Sequence, residues 1–167
     1  MPAQAPTRKR PAPEGAREQT VAVNRRAHYD YFIDGSVEAG IVLQGTEIRS
    51  IRAGHVQLRQ AFARVERGEL FLFGMHVSPY DFGNRWNHDP IRPRKLLVHR
   101  HEIDELWRHA SQSGRTLVPL RLYLKGGRAK VEIGLARGKH DYDKRETIAA
   151  RDAAREAARG LSGRERW

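Results

Sequence analysis

A chain of 167 residues with 31 Lys and Arg against 20 Asp and Glu, a formal charge of +11 and 39% apolar residues fits one globular domain with room for extended ends, and its first-choice partner is a polyanion. With no Cys, disulfides, thiolate zinc sites, cysteine nucleophiles and iron–sulfur clusters are excluded. No apolar run approaches the roughly 20 residues of a bilayer span and no basic-then-apolar leader opens the chain, so the expectation is a soluble, cytoplasmic protein without a membrane partner.

Residues 1–20 are rich in Pro and Ala and have no large apolar residue after Met1, so they are expected to form a disordered tail. Residues 21–140 read as the folded, RNA-binding part and residues 141–167 as a basic tail. Asn24, Arg25 and Arg26 precede the first strand and supply phosphate-binding charge. The segments YFID and EAGIVLQ are strand-like, and Thr46 is placed to cap a short helix that runs through Ile48, Ile51 and Arg52 to Gly54. FARVERGELFLF predicts a hairpin turning at Arg67-Gly68 with Val65, Leu70 and Leu72 toward the core. Arg92, Arg94 and Lys95, around a Pro-rich turn, add further charge for phosphate. A longer helix is predicted from Arg100 to Ser113, with Ile103, Leu106, Trp107 and Ala110 on its apolar stripe and Gly114 as its stop.

The clearest local signal is LRLYLKGGRAKVEIGL, two alternating runs joined by Gly126-Gly127. Period-two alternation then opposes Lys125 to Arg128, Leu124 to Ala129, Tyr123 to Lys130, Leu122 to Val131, Arg121 to Glu132 and Leu120 to Ile133. One face becomes Leu120, Leu122, Leu124, Val131, Ile133 and Leu135. The other carries Arg121, Tyr123, Lys125, Arg128, Lys130 and Glu132, a basic surface with a central aromatic suited to phosphates and unpaired bases. The inventory predicts a mainly β fold with packed helices, most simply a small antiparallel β-barrel, with flexible tails.

Residue types suited to other chemistries are also present. His99, His101 and His109, with Glu102 and His88-Asp89, offer metal-ligand types, but the spacing is not that of two His one helical turn apart. No Ser stands in a GxSxG elbow. Asp30, Asp34 and Glu38 lie close in sequence beside basic residues, which keeps a metal-dependent ribonuclease as the enzyme-class rival. The expectation is a non-enzymatic RNA binder with no cofactor and no metal. In the tail, Arg151, Arg155 and Arg159 repeat at i, i+4 and i+8, opposite a stripe whose large members are Ile148 and Leu161. So small an apolar stripe predicts fraying when the segment is alone.

The blocks NRRAHYDYFID, EAGIVLQGTEIRSIRAG, GELFLFGMHVSPY, DPIRPRKLL and KVEIGLARGKHDYDKRE, followed by an Ala/Arg-rich end, resemble the SmpB family in order and spacing. That family binds transfer-messenger RNA, the SsrA RNA, in bacterial trans-translation. The resemblance implies an oligonucleotide-binding-like barrel and a tail that becomes helical on the ribosome. It assigns Tyr31, Glu38, Leu97 and Lys130 to the tRNA-like domain of the RNA, and the tail residues Asp143, Lys144 and Arg145, with Arg151, Arg155 and Arg159, to the ribosome. It further implies contact with the small-subunit decoding region and messenger channel, with elongation factor Tu and alanyl-tRNA synthetase met through the RNA, by a monomeric protein. Tyr29 stands where the family frequently has His. Glu38 is open between accepting base or ribose hydrogen bonds and orienting a neighbouring Arg. A general structured-RNA or ribosomal RNA binder of the same fold is the alternative.

Overall fold

Alternation of apolar and polar residues governs most of the chain, and strands are what it produces. The computed structural model describes residues 17–82 and 88–162; the expected disorder of residues 1–16 lies outside the described residues, as does the side chain of Leu161. In chain order the elements are β1 (Glu18–Val23), α1 (Ala27–Asp30), β2 (Tyr31–Ile41), α2 (Gly45–Arg52), β3 (Val56–Gln57), β4 (Phe62–Glu66) and β5 (Glu69–Phe73), then β6 (His76–Val77), β7 (Arg94–Leu97), α3 (Arg100–Ala110), β8 (Arg115–Lys125), β9 (Arg128–Gly138) and α4 (Asp141–Ser162). The main sheet runs β1-β8-β4-β5-β7-β2-β9, and β9 also pairs with β8. Six antiparallel strands thus close into a ring, which leaves few free edges, and β1 adds to the far end of β8. Leu70, Leu72, Leu96, Leu117, Leu122 and Ile133 fill its interior, and α2 and α3 pack against it with Ile51 and Leu106 fully buried. Among the described residues no helix is long and apolar enough to cross a membrane.

Both hairpin turns form where their sequences place them, Gly126 and Gly127 at φ 58° and 76° and Arg67 and Gly68 at φ 50° and 76°, the signs a two-residue turn requires. Five of the six predicted pairs of the long hairpin hold, from Lys125↔Arg128 to Arg121↔Glu132, but the sixth does not: Ile133 pairs with Pro119 across a bulge at Leu120. Pro119 has no N–H for the ladder, and Gly134 presents no side chain, so Leu120 lies within 3.1 Å of the position a Cβ would take there. Leu120 consequently leaves the predicted apolar face and joins Ala27, Val118 and Ala136 in a small separate cluster.

Three element boundaries and one buried position differ from the sequence expectations. Glu18, Gln19 and Thr20 are not part of a disordered tail but strand residues paired with Lys125, Leu124 and Tyr123. YFID and the first four residues of EAGIVLQ merge into the single strand β2, which ends at Ile41 and has an irregularity between Ile33 and Gly35. Helix α2 is capped at Gln44 rather than Thr46, because the Glu47 carboxylate accepts the Gln44 N–H at 2.9 Å. Trp107 is 57% exposed, and on α3 the buried positions are Leu106 and His109, whose Nε2 lies 3.1 Å from the Ala136 carbonyl.

The tail corrects a larger expectation, because residues 141–162 are helical without a partner. Strong helix formers fill the segment, Asp141 and Asp143 oppose the dipole at its start, and Arg159 does so in the last turn. Its root is fixed: the Lys139 N–H donates to Asp30 O at 3.1 Å, and Lys139 Nζ donates to His28 O at 3.0 Å and to Thr147 Oγ1 at 3.2 Å. From Ile148 to Gly160 every side chain is exposed. The helix therefore projects from the ring on the order of 30 Å without docking on it.

Candidate nucleic-acid interface

Strand register assembles a surface that the sequence alone scatters over a hundred residues. On the outer face, Tyr123 pairs with Lys130, Lys130 with Gly40 and Gly40 with Leu97, forming one row across β8, β9, β2 and β7. The parallel row is Arg121, Glu132 and Glu38. Gly40 has no side chain between Lys130 and Leu97, and a Cβ there would sit 3.4 Å from the Leu97 Cβ. The result is a depression of about 390 Å³ floored by Gly40 and Ala129 and walled by Leu97, Lys130 and Arg128. Leu97 is 55% exposed, an apolar side chain standing beside two cations.

Glu38 organises the charges of this face. Its carboxylate accepts a short hydrogen bond from the Tyr123 hydroxyl and lies 3.6 Å from Lys125 Nζ and 3.7 Å from Lys130 Nζ. The Tyr123 bond, with the two lysines, outweighs desolvation and holds the Glu38 carboxyl below the usual range. Burial, followed by the Glu38 contact, pushes the Tyr123 phenol well above its ordinary value, so it remains a donor at neutral pH. One row over, Arg121 Nε bonds Glu132 at 2.6 Å and Ser36 donates to the same carboxylate at 2.7 Å. Glu38 thus orients two lysines, where the sequence left open an Arg or a direct bond to a base.

The face is less basic than expected, and its aromatic is not free. Arg121, Lys125 and Lys130 all lie beside Glu18, Glu38 or Glu132, whereas Arg128 has no ion pair among the described residues. Tyr123 is 1% exposed, with the Arg121 guanidinium 4.4 Å from its ring centroid. It cannot offer a face to a base and acts instead by fixing Glu38, which corrects the stacking role expected for it.

Glu38, Leu97 and Lys130 are brought together, but Tyr31 is not among them. It begins β2 opposite Gly138, nine residues from Gly40 and so on the order of 30 Å away. Asn24 is buried, its Nδ2 donating to Pro119 O at 3.0 Å and Leu58 O at 3.4 Å, so it fastens β1 to the body and its amide is not open to phosphate. Arg25 is exposed, and Arg26 bonds Asp30 at 2.9 Å. Of the charges expected around the Pro-rich turn, Arg94 is wholly buried and, with Arg92, clamps Glu47, while Lys95 pairs with Glu69 at 2.6 Å. They are spent on the fold. His99 starts α3 and His101 stacks beside it, and among the described residues no group of three His, Asp or Glu could hold a metal ion. In α4, Asp143 caps the root by accepting the His140 N–H at 3.1 Å, whereas Arg145, Arg151, Arg155 and Arg159 are exposed along the helix and Lys144 is half-buried. Gly40 and Arg128 were missed as a pair, since only the pairing of β7, β2 and β9 puts them beside Leu97.

The family model described as "SmpB protein" matches residues 21–163. An SsrA-binding protein of Geobacillus kaustophilus is 56% identical over 148 residues, 89% of this chain and 96% of its own. One of Carboxydothermus hydrogenoformans is 57% identical over 147 residues, 88% and 99% of the two chains. A solved chain from work described as "tmRNA-SmpB: a journey to the center of the bacterial ribosome" superposes with a TM-score of 0.63 at 48% identity, covering 76% of this chain and 93% of that one.

Proposed function

The chain belongs to the SmpB protein family, and from that premise we propose that it binds the tRNA-like domain of transfer-messenger RNA and delivers it to stalled ribosomes for trans-translation. It is an RNA-binding protein and not an enzyme. The observation that carries the assignment of the RNA site is the row Lys130–Gly40–Leu97. A glycine floor admits a nucleotide close to the backbone, Leu97 packs an apolar edge against base or ribose, and Lys130, with Arg128 and Lys125, meets phosphates. Glu38 keeps Lys125 and Lys130 in place, sharing Lys125 with Glu18.

The division of parts follows from the fold. The ring, with β1 added from Glu18, is the RNA-binding body, and α4 is the ribosome-directed arm. In a ribosome whose messenger channel is empty, Lys144, Arg145, Arg151, Arg155 and Arg159 meet ribosomal RNA phosphates in the decoding region and the channel. Because the helix is already present, binding selects and extends it, and the ordering cost is smaller than for an unfolded tail. Elongation factor Tu and alanyl-tRNA synthetase are met through the RNA, and the protein works as a monomer in the cytoplasm.

Lys130→Ala in the full chain is the test. Affinity for the isolated tRNA-like domain should fall about tenfold near 150 mM salt, and the slope of log affinity against log salt should become shallower by about one. Unchanged affinity with the circular-dichroism spectrum intact removes Lys130 from the site. Competition with unrelated structured RNAs of equal length separates this reading from a general RNA binder, which would show no preference.

A further inference from the structure

Strand β1 stands outside the closed ring, and its first residue, Glu18, carries the one charge along it. Glu18 pairs with Lys125 at the end of β8, on the outer face that also bears Tyr123 and Arg121. Its carboxylate reaches both cations there, Arg121 Nη1 at 3.3 Å and Lys125 Nζ at 3.7 Å, with the Arg121 guanidinium lying over the Tyr123 ring. The two cations depend on it unequally. Arg121 also holds Glu132 at 2.6 Å, a carboxylate that Ser36 braces with a further hydrogen bond. Lys125 otherwise has Glu38 at 3.6 Å, and that carboxylate is already shared with Lys130 and the Tyr123 hydroxyl. Lys130 and Arg128, which wall the Leu97 depression, make no ion pair with Glu18. Loss of the Glu18 charge therefore frees Lys125 above all and leaves the depression as it is.

We infer that Glu18 sets the RNA selectivity of this face: it withholds Lys125 and the outer side of Arg121 from phosphate, so that Lys130 and Arg128, beside the Leu97 depression, decide which RNA binds. Selectivity is a difference of two affinities, and it grows when the ligand that does not fit is denied a contact. Phosphate attraction is open to every RNA, and in a chain of charge +11 it is strong. An RNA that does not fit the depression is free to settle wherever cations are densest, so it takes the full benefit of an unpaired Lys125. An RNA seated on Gly40 and Leu97 is fixed in register and gains little from it. A half-exposed ion pair shifts an equilibrium by roughly a few-fold, enough to trim background binding without disabling the site. The fold of β1 does not need the charge: Gln19, Thr20, Ala22 and Val23 pair with β8, and Asn24 pins the end of the strand to Leu58 O and Pro119 O. The inference rests on the proposed function for the identity of the RNA that fits.

The experiment titrates the full chain and its Glu18→Gln variant against the isolated tRNA-like domain and against an unrelated structured RNA of equal length, between about 50 and 200 mM salt, a range over which phosphate contacts register. Glu18→Gln should bind the unrelated RNA about threefold more tightly at the low-salt end, with a slope of log affinity against log salt steeper by about one. Its affinity for the tRNA-like domain should rise by less than about 1.5-fold, so the preference falls about twofold. Glu18→Asp keeps the charge and should keep most of the preference. In a Lys125→Gln background the same Glu18→Gln change should gain less than about 1.5-fold on either RNA, because the cation it frees is gone. That arm separates released charge from a loosened strand. Unchanged affinity for the unrelated RNA overturns the inference, as does an equal gain on both RNAs or a gain that survives in the Lys125→Gln background. If the wild-type chain shows no preference for the tRNA-like domain, the proposed function fails, while the gain on the unrelated RNA and its loss without Lys125 still decide what Glu18 withholds.

Discussion

Replacing Arg94 by Ala is expected to cost about 3–5 kcal/mol of folding stability, more than any surface change, because it takes from a buried carboxylate its only fully buried cationic partner and empties the space the guanidinium fills. Arg94 is wholly buried, and its guanidinium spends its donors on Glu47 Oε1, Met75 O, Arg92 O and Pro90 O at 2.7 to 3.1 Å. Arg92 closes the other side of Glu47 at 2.5 and 2.9 Å. In a chain of this size the melting temperature should drop by about 10 °C or more. Burial alone would raise the Glu47 carboxyl; the hydrogen bonds from Arg92 and the Gln44 N–H, with the Arg94 charge, outweigh it and the net direction is downward. A carboxyl lowered in the folded state adds stability that is complete above its unfolded value, about 4.5, and is lost as pH falls through the folded one. Thermal melts should therefore show the wild-type chain weakening below about pH 4.5 and Glu47→Leu/Arg94→Leu weakening less. Recovery of most of the lost stability in that double variant would show that the penalty is the unpaired charge; an Arg94→Ala chain as stable as wild type would contradict the description of the cluster.

Deletion of residues 143–167 should abolish rescue of stalled ribosomes while leaving affinity for the tRNA-like domain within about twofold. The deleted helix buries almost nothing: its side chains from Ile148 to Gly160 are exposed, and Lys139 keeps its bond to Asp30 without it. Stability should change by less than about 1 kcal/mol. What disappears is the cationic stripe of Lys144, Arg145, Arg151, Arg155 and Arg159, which has no use in the body. Tagging of nascent chains in a reconstituted translation system stalled without a codon measures the loss, and filter binding measures what remains. If the truncated chain loses the RNA, the helix belongs to the primary clamp; if it still rescues, the arm has no part in recognising the empty channel.

Local grammar was legible in the sequence and long-range pairing was not. Gly126-Gly127 and Arg67-Gly68 announced their hairpins because a positive φ is a property of adjacent residues. The outward placement of Lys130 followed from period-two alternation, and the same rule failed at Leu120, where Pro119 and Gly134 impose a bulge that alternation cannot register. Tyr123 and Arg94 were misjudged for a common reason: each reads as a surface residue until a carboxylate 47 or more positions away, Glu38 or Glu47, arrives to bury it. Tertiary pairing likewise hid Gly40, whose value lies in the strands on either side. The tail was underestimated because apolar content was weighed above the capping at Asp143 and the root held by Lys139.

The measurement closest to the central claim is a methyl NMR titration of the full chain with the isolated tRNA-like domain. The largest shifts should fall on the Leu97 methyls and on Ile41, Leu43 and Ile48 beside them, with Val23 and the α4 residue Ile148 little changed. Shifts centred on Val23, or on Ile103 and Leu106 of α3, with Leu97 unmoved, would contradict it.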